Sequence, residues 1–252
     1  MTLIDSHCHL FYENLKNDLD GVLSRAAEKG VSSFICVGTN LEDSLECLEL
    51  SEQYDVIYGS AGVHPHDAKD SPEDFIEKIA GLMTSDRMVA MGEVGLDYFR
   101  NISDPEIQKE VFRKQMALAR ELEKPIIFHN RDADGDAIQI LSEFPDVTGV
   151  AHCFSSDLET AKTFLDLGYY ISFSGNLTFK NSQLPMVAKE LPLDKILVET
   201  DSPYLSPVPF RGKPNEPGRT YYVVEKLAEI HRVSIELIAD TTTENARALF
   251  GI

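Results

Sequence analysis

Short runs rich in β-branched residues alternate along this chain with longer stretches in which apolar residues recur at helical spacing. The first kind predicts strands at Thr2 to His7, Ser32 to Gly38, Val56 to Gly62, Met88 to Glu93, Pro125 to His129, Gly149 to His152, Tyr169 to Gly175 and Lys195 to Glu199. The second predicts helices near Leu19 to Lys29, Leu41 to Gln53, Pro72 to Met83, Asp104 to Glu123, Asp134 to Phe144, Leu158 to Leu167, Gln183 to Leu191 and Tyr221 to Arg232, with a last one ending at Phe250. Pro72 after Ser71 and Pro105 after Asp104 each put a capping side chain before a proline suited to a first helical turn. Strand followed by helix, repeated, means parallel strands joined by right-handed crossovers, and eight such units close a (β/α)8 barrel. No G-x-G-x-x-G opens the first strand-to-helix turn, as an open dinucleotide-binding sheet would require. The expectation is an α/β protein: one domain over residues 1–252, a distorted (β/α)8 TIM barrel.

Composition narrows the class. With 43% hydrophobic and 26% charged residues over 252 positions, the chain can bury a sizeable core, which excludes disordered and fibrous proteins. The charge is lopsided: 23 Lys+Arg against 42 Asp+Glu give −19, a field that repels duplex DNA and anionic membranes. No segment reaches the ~18 apolar residues of a membrane span, and the N-terminus lacks a basic, then apolar, signal pattern. The 4 Cys form no C-x-x-C pair, so reduced thiols and a cytoplasmic location are expected. All four read as packing groups, with Cys8 and Cys153 turned away from the neighbouring His7, His9 and His152.

The chemistry gathers where apolar strands stop. His7-Cys8-His9 ends the first strand, and a period of 2 puts both imidazoles on one face, roughly 6 to 7 Å apart at Cα, close enough to share a cation. Alone, an H-x-H is weak, since two polar residues often end a strand. Here Glu93 ends the fourth strand, His129 the fifth, His152 the sixth and Asp201 follows the eighth, and a barrel brings its C-terminal strand ends to one rim. Four His and two carboxylates converging there are costly to desolvate unless they hold metal, and two divalent ions suit the inventory. His64, just past the third strand, is expected to touch substrate or transition state; His66 reads as a loop residue and His231 as structural. The loop from Ser202 to Gly218 holds five of the 12 prolines and starts at a strand end, which marks it as functional.

The motifs Asp5-Ser6-His7-Cys8-His9-Leu10, Gly62-Val63-His64-Pro65-His66, Gly92-Glu93-Val94-Gly95-Leu96-Asp97-Tyr98, His129-Asn130-Arg131-Asp132-Ala133, His152-Cys153-Phe154-Ser155, Glu199-Thr200-Asp201-Ser202-Pro203-Tyr204 and Asn245-Ala246-Arg247 resemble, in order, those of the TatD family of metal-dependent hydrolases. The resemblance implies a divalent-metal deoxyribonuclease, often a 3′ to 5′ exonuclease, on an amidohydrolase-like barrel. It implies that His7, His9 and Asp201 hold one metal, His129 and His152 the other, and that Glu93 bridges both. The chain departs from the family pattern at Gly218-Arg219-Thr220. Two such ions would activate a bridging hydroxide for attack on phosphorus, with Asp201 taking its proton and His64 and Arg131 neutralising phosphate oxygens. Imidazole-rich ligands favour Zn, Mn, Co or Ni over Mg.

The same centre could open a lactone, a small phosphoester or an aminoacyl-tRNA ester, and a non-enzymatic metal-dependent nucleic-acid binder is a third reading. Arg100, Arg131, Arg211, Lys213 and Arg219 on rim loops, with Tyr98, Phe99, Tyr204 and Phe210 among them, favour a phosphoester carrying bases. Arg100, Arg131, Arg211, Lys213, Tyr204 and His64 are the expected substrate contacts. Much of the acid falls on predicted outer helix faces, such as Glu42, Asp43, Glu46 and Glu49, where salt screens it beyond ~8 to 10 Å. The expected substrate is therefore DNA ends or short single strands rather than long duplex; the chain is read as a monomer without membrane contact, and the sequence names no protein partner.

Overall fold

The computed structural model describes residues 1–252. The eight strands are β1 (Leu3–Cys8), β2 (Val31–Val37), β3 (Ile57–Ala61), β4 (Met88–Asp97), β5 (Ile126–Arg131), β6 (Gly149–Ala151), β7 (Tyr170–Phe173) and β8 (Ile196–Val198). They form one parallel sheet in sequential order, and a bridge from Cys8 to Ser202 joins the first strand to the chain after the last. The helices are α1 (Glu13–Lys16), α2 (Leu19–Glu28), α3 (Leu41–Gln53), α4 (Phe75–Leu82), α5 (Pro105–Glu121), α6 (Asp134–Ser142), α7 (Leu158–Asp166), α8 (Leu184–Glu190), α9 (Thr220–His231) and α10 (Ile235–Phe250). This is a single (β/α)8 TIM barrel. No helix is long and apolar enough to cross a membrane.

Apolar burial divides into two shells. A cluster of 57 residues lies between strands and helices, and a second of 11 gathers Ile4, Ile35, Val37, Val89, Ile127, Val150 and Leu197 with the end of α10, filling the lumen. At ~25 cal/mol per Å2 of apolar surface removed from water, this burial is the main stabilising contribution, and it leaves the opposite end of the lumen to polar side chains. α10 is tied down by Asn245, whose amide donates to the Leu193 and Ile196 carbonyls at 2.8 and 2.9 Å.

Two expectations need correction. Asp104 caps α5 through the Glu106 N–H at 2.9 Å, with Pro105 in its first turn, as the sequence suggests. Ser71-Pro72, by contrast, does not start α4, which begins at Phe75 with no side-chain cap. The Ser71 hydroxyl turns back to the Asp67 carbonyl at 3.2 Å and closes the preceding turn instead. β4 does not stop at Glu93 but runs to Asp97, paired with β5 as far as Arg131, because Val94 and Leu96 continue to face the outer core. The short α1 has no apolar periodicity long enough to read.

Candidate metal centre

Two bulges aim the site. Between Asp5↔Phe34 and Cys8↔Cys36, β1 advances three residues while β2 advances two. Strict alternation would put Leu3 and Cys8 on opposite faces, yet both lie in the outer core, so the extra residue shifts the register and turns His7 and His9 into the barrel mouth. β4 does the same between Met91↔Ile126 and Val94↔Phe128, and Glu93 sits in that bulge. Gly95, at φ +126° and with a Cβ position only 2.0 Å from the His129 carbonyl oxygen, is a place where only glycine lets β5 approach.

The six expected ligands meet as two sets of donor atoms. In the first, His7 Nε2 and His9 Nε2 lie 3.2 Å apart, with Asp201 Oδ1 at 3.8 and 3.4 Å from them and Glu93 Oε2 at 3.5 and 3.9 Å. In the second, Glu93 Oε1 lies 2.9 Å from His152 Nε2 and 3.2 Å from His129 Nδ1, and those two nitrogens are 3.4 Å apart. Glu93 thus gives one oxygen to each set.

The hydrogen bonds on the far side of three of the four rings decide whether these donors suit a cation, while His7 Nδ1 is buried without a partner. His9 Nδ1 donates to the Val37 carbonyl at 2.7 Å, His129 Nε2 to Asp97 at 3.0 Å and His152 Nδ1 to Glu199 at 3.3 Å. In the neutral rings, each proton placed there leaves a lone pair on the nitrogen facing its neighbours, so lone pairs and carboxylate oxygens point at one another until a cation or a second proton comes between them. That arrangement is repulsive unless a cation stands at the centre, and carboxylate-backed imidazoles are the usual way of orienting metal-binding His. The same anions raise the proton affinity of His9 to about 9 against burial, mainly through Asp201. His7, fully buried beside His152, is pushed down to about 3.

His64 differs. Its Nδ1 accepts the His66 N–H at 3.1 Å, so Nε2, 3.3 Å from Glu93 Oε1, carries the proton and is a donor rather than a ligand. Burial outweighs the pull of Glu93 and lowers it to about 4, keeping the ring neutral. Behind the first set, Asp5 Oδ1 accepts the Thr200 N–H at 2.8 Å, its other oxygen takes the Thr200 hydroxyl, and burial pushes this carboxyl up to about 8. Asn215 adds a bond to the Thr200 carbonyl at 3.0 Å. The Ser202 to Gly218 loop thereby clamps the seam between β1 and β8, where the ladder consists of little more than Cys8↔Ser202.

A cavity of about 560 Å3 opens over these atoms, and its lining includes Tyr12, His64, Arg100, Arg131 and Tyr204. Arg211 and Lys213 are not brought there. Arg211 stacks on Phe179 at 3.7 Å and donates to the Ser206 carbonyl at 3.2 Å, and Lys213 sits in the exposed part of the proline-rich loop. Arg219 braces that loop through Ser206 Oγ at 2.8 Å, Phe210 packs on Tyr222, and the Tyr98 hydroxyl bonds Asp136 at 2.6 Å. His66 is not a mere loop residue: it bonds Asp97 Oδ2 at 3.0 Å and lines the cavity. Cys153 does not face away, because β6 ends at Ala151 and Cys153 takes φ +44°, which turns it to the cavity. His231 packs away from the site near Ala188, as expected of a structural residue.

Asp97 and Glu199, the carboxylates behind His129 and His152, had no assigned role from the sequence. Period 2 along a strand end could have marked both, since Asp97 lies four residues beyond Glu93 and Glu199 two before Asp201. Asp97→Asn puts an N–H or a weaker acceptor against His129 Nε2, and is expected to lower metal affinity and turnover by about 10- to 100-fold. Metal titration by calorimetry checks this; wild-type affinity in the variant would remove Asp97 from the centre.

A family model described as TatD related DNase matches residues 4–251. YabD, a metal-dependent hydrolase of Bacillus subtilis (strain 168), is 45% identical over 253 residues, 99% of each chain. A 3′-5′ ssDNA/RNA exonuclease TatD of Citrobacter koseri is 33% identical over 258 residues, again 99% of each. Among solved structures, YJJV, a TatD homolog from Escherichia coli K12, superposes with a TM-score of 0.94 at 32% identity, covering 99% of this chain and 98% of its own.

Proposed function

The chain belongs to the TatD-related DNase family, and from that premise we propose that it is a divalent-metal-dependent phosphodiesterase acting on DNA ends or short single strands as a 3′ to 5′ exonuclease. The observation that carries the reading is Glu93 with one oxygen in each of two lone-pair clusters. His7, His9 and Asp201 would hold one cation, His129 and His152 a second, with Glu93 shared. Four carboxylates, Glu93, Asp97, Glu199 and Asp201, converge on the centre, and two divalent charges balance their formal −4. When bound, such ions acidify a water and neutralise charge on a phosphoryl oxygen. Zn, Mn, Co or Ni suits this imidazole-rich set better than Mg.

The protein's own groups do the rest. Asp201, partly exposed at the cavity, accepts the proton of the attacking water. His64 Nε2–H, fixed as a donor by His66, reaches a non-bridging phosphate oxygen as charge builds there. Arg131 and Arg100 bring positive charge to the cavity, and Tyr204 brings an aromatic face. The test is purified protein with Mn2+ or Mg2+ on an end-labelled single-stranded oligonucleotide, beside aryl phosphoesters, lactones and aminoacyl-tRNA. Stepwise shortening of the oligonucleotide, with poor competition by long duplex at physiological salt, is expected. Turnover only of a lactone or aminoacyl ester would move the same centre to carbonyl chemistry; tight oligonucleotide binding without turnover would make the protein a binder.

A further inference from the structure

The cavity is chemically lopsided. Arg100 and Arg131 are the Arg and Lys residues of its lining, and both stand on the side of His129 and Asp97: Arg131 is the strand partner of Asp97, and the Arg100 N–H bonds Asp97 at 2.7 Å. In a chain with 42 acids, Arg25 and Arg113 have carboxylate partners, whereas the side chains of Arg100 and Arg131 have no hydrogen-bond or ion-pair partner. The Arg131 guanidinium lies on the Phe99 ring, 3.7 Å from its centroid, and Phe99 is 58% exposed. That contact leaves the guanidinium N–H groups without a protein partner and free to meet an anion, while the Phe99 ring stays largely exposed.

The opposite side, next to His9 and Asp201, has no Arg or Lys in the lining and carries two tyrosines. Tyr204 is 52% exposed, sits 5.9 Å from Tyr12 edge to face, and is 6.4 Å from His9. Its backbone is held by the turn from the Tyr204 N–H to the Asp201 carbonyl at 2.8 Å, so the ring is presented by a tight turn rather than by a loose loop.

From this asymmetry we infer, on the strength of the phosphodiesterase reading above, a direction for the bound strand. The terminal nucleoside stacks at Tyr204 and Tyr12, on the side with no cationic side chain, and the remaining chain leaves across Arg131 and Phe99, where the next phosphate meets the guanidinium and its base the open ring. A subsite without cation suits a base that carries no further phosphate, and a guanidinium with no acidic partner suits the continuing backbone. The arrangement makes the enzyme read chain length: a dinucleotide fills the tyrosine side and the centre with its second nucleoside next in line, and a longer strand adds the phosphate at Arg131 and the following base at Phe99.

The experiment measures kcat/KM for single strands of two, three and six nucleotides with Mn2+, in wild type and in Phe99→Ala, Arg131→Gln and Tyr204→Ala. Phe99 and Tyr204 are surface residues, so these variants test contact rather than folding, and Arg131→Lys serves as the conservative companion. In wild type, kcat/KM rises from two to six nucleotides. Phe99→Ala and Arg131→Gln flatten that rise by on the order of tenfold, with Arg131→Lys between, whereas Tyr204→Ala lowers all three lengths by a common factor of about ten. An unchanged length ratio in Arg131→Gln, or a flattened one in Tyr204→Ala, overturns the direction while leaving the phosphodiesterase reading intact. If wild type cleaves no oligonucleotide, that reading fails, and the inference with it.

Discussion

Glu93→Ala is expected to lower turnover by about 1000-fold or more. A bound cation's stabilisation of developing charge is worth several kcal/mol, and each ~1.4 kcal/mol is a factor of ten. Glu93 is the one side chain with an oxygen in both donor sets, at 3.5 Å from His7 Nε2 and 2.9 Å from His152 Nε2. Its loss takes an anion from each set and leaves the lone pairs of His129 and His152 facing each other without a carboxylate between them. Asp201→Ala removes a ligand from one set only, so its metal stoichiometry should fall less while its turnover also collapses. The check is kcat with excess metal alongside metal counting by mass spectrometry. Retention of more than a tenth of wild-type turnover in Glu93→Ala would rule out the shared-ligand arrangement.

Chelation is the second large effect, and it has a readout independent of activity. A ligand that binds only the native state stabilises it by about 2.7 kcal/mol at 100 times its dissociation constant. For a chain of this length, a kcal/mol moves the unfolding midpoint by roughly 2 to 4 °C, so stripping one tightly held ion should lower the midpoint by about 5 to 10 °C. Restoring Mn2+ or Zn2+ should recover both the midpoint and turnover, whereas Ca2+, which prefers oxygen ligands, should recover neither fully. Glu93→Ala should lose most of this metal response. Calorimetric scans that are indifferent to metal would mean that the buried donors hold no ion.

Legibility in the sequence varied with how local the determining interaction is. Helices α3 and α5 could be read closely because amphipathic spacing, and in α5 a cap, lie within the segment itself. The six metal-ligand candidates were readable because each stands where an apolar strand run meets polar residues, and because eight such runs imply one rim. The sequence reads Glu93 as a strand end, whereas it occupies a bulge inside a strand of ten residues. A bulge depends on how two strands pair, and nothing in Met88 to Asp97 alone marks the extra residue. His66 and Cys153 read as a loop residue and a packing group, and Asp97 and Glu199 carry no role from the sequence, for a related reason. Their roles rest on partners distant in the chain, such as Glu199 at 2.7 Å from the Cys153 N–H. Arg211 and Lys213 erred in the other direction: a basic residue in a rim loop looks available, but Arg211 is engaged by Phe179 and both lie outside the cavity.

By itself, the sequence determined that this is an eight-unit strand-helix barrel and which His and acidic residues crowd its mouth, because periodicity and strand-end chemistry are short-range properties of a chain. The folded barrel decided which atom of each ring faces inward, that one carboxylate serves two donor sets, and that unpaired cations stand on one side of the cavity only. Those features arise from hydrogen bonds and register shifts between strands far apart in sequence. They exist only once the sheet has closed.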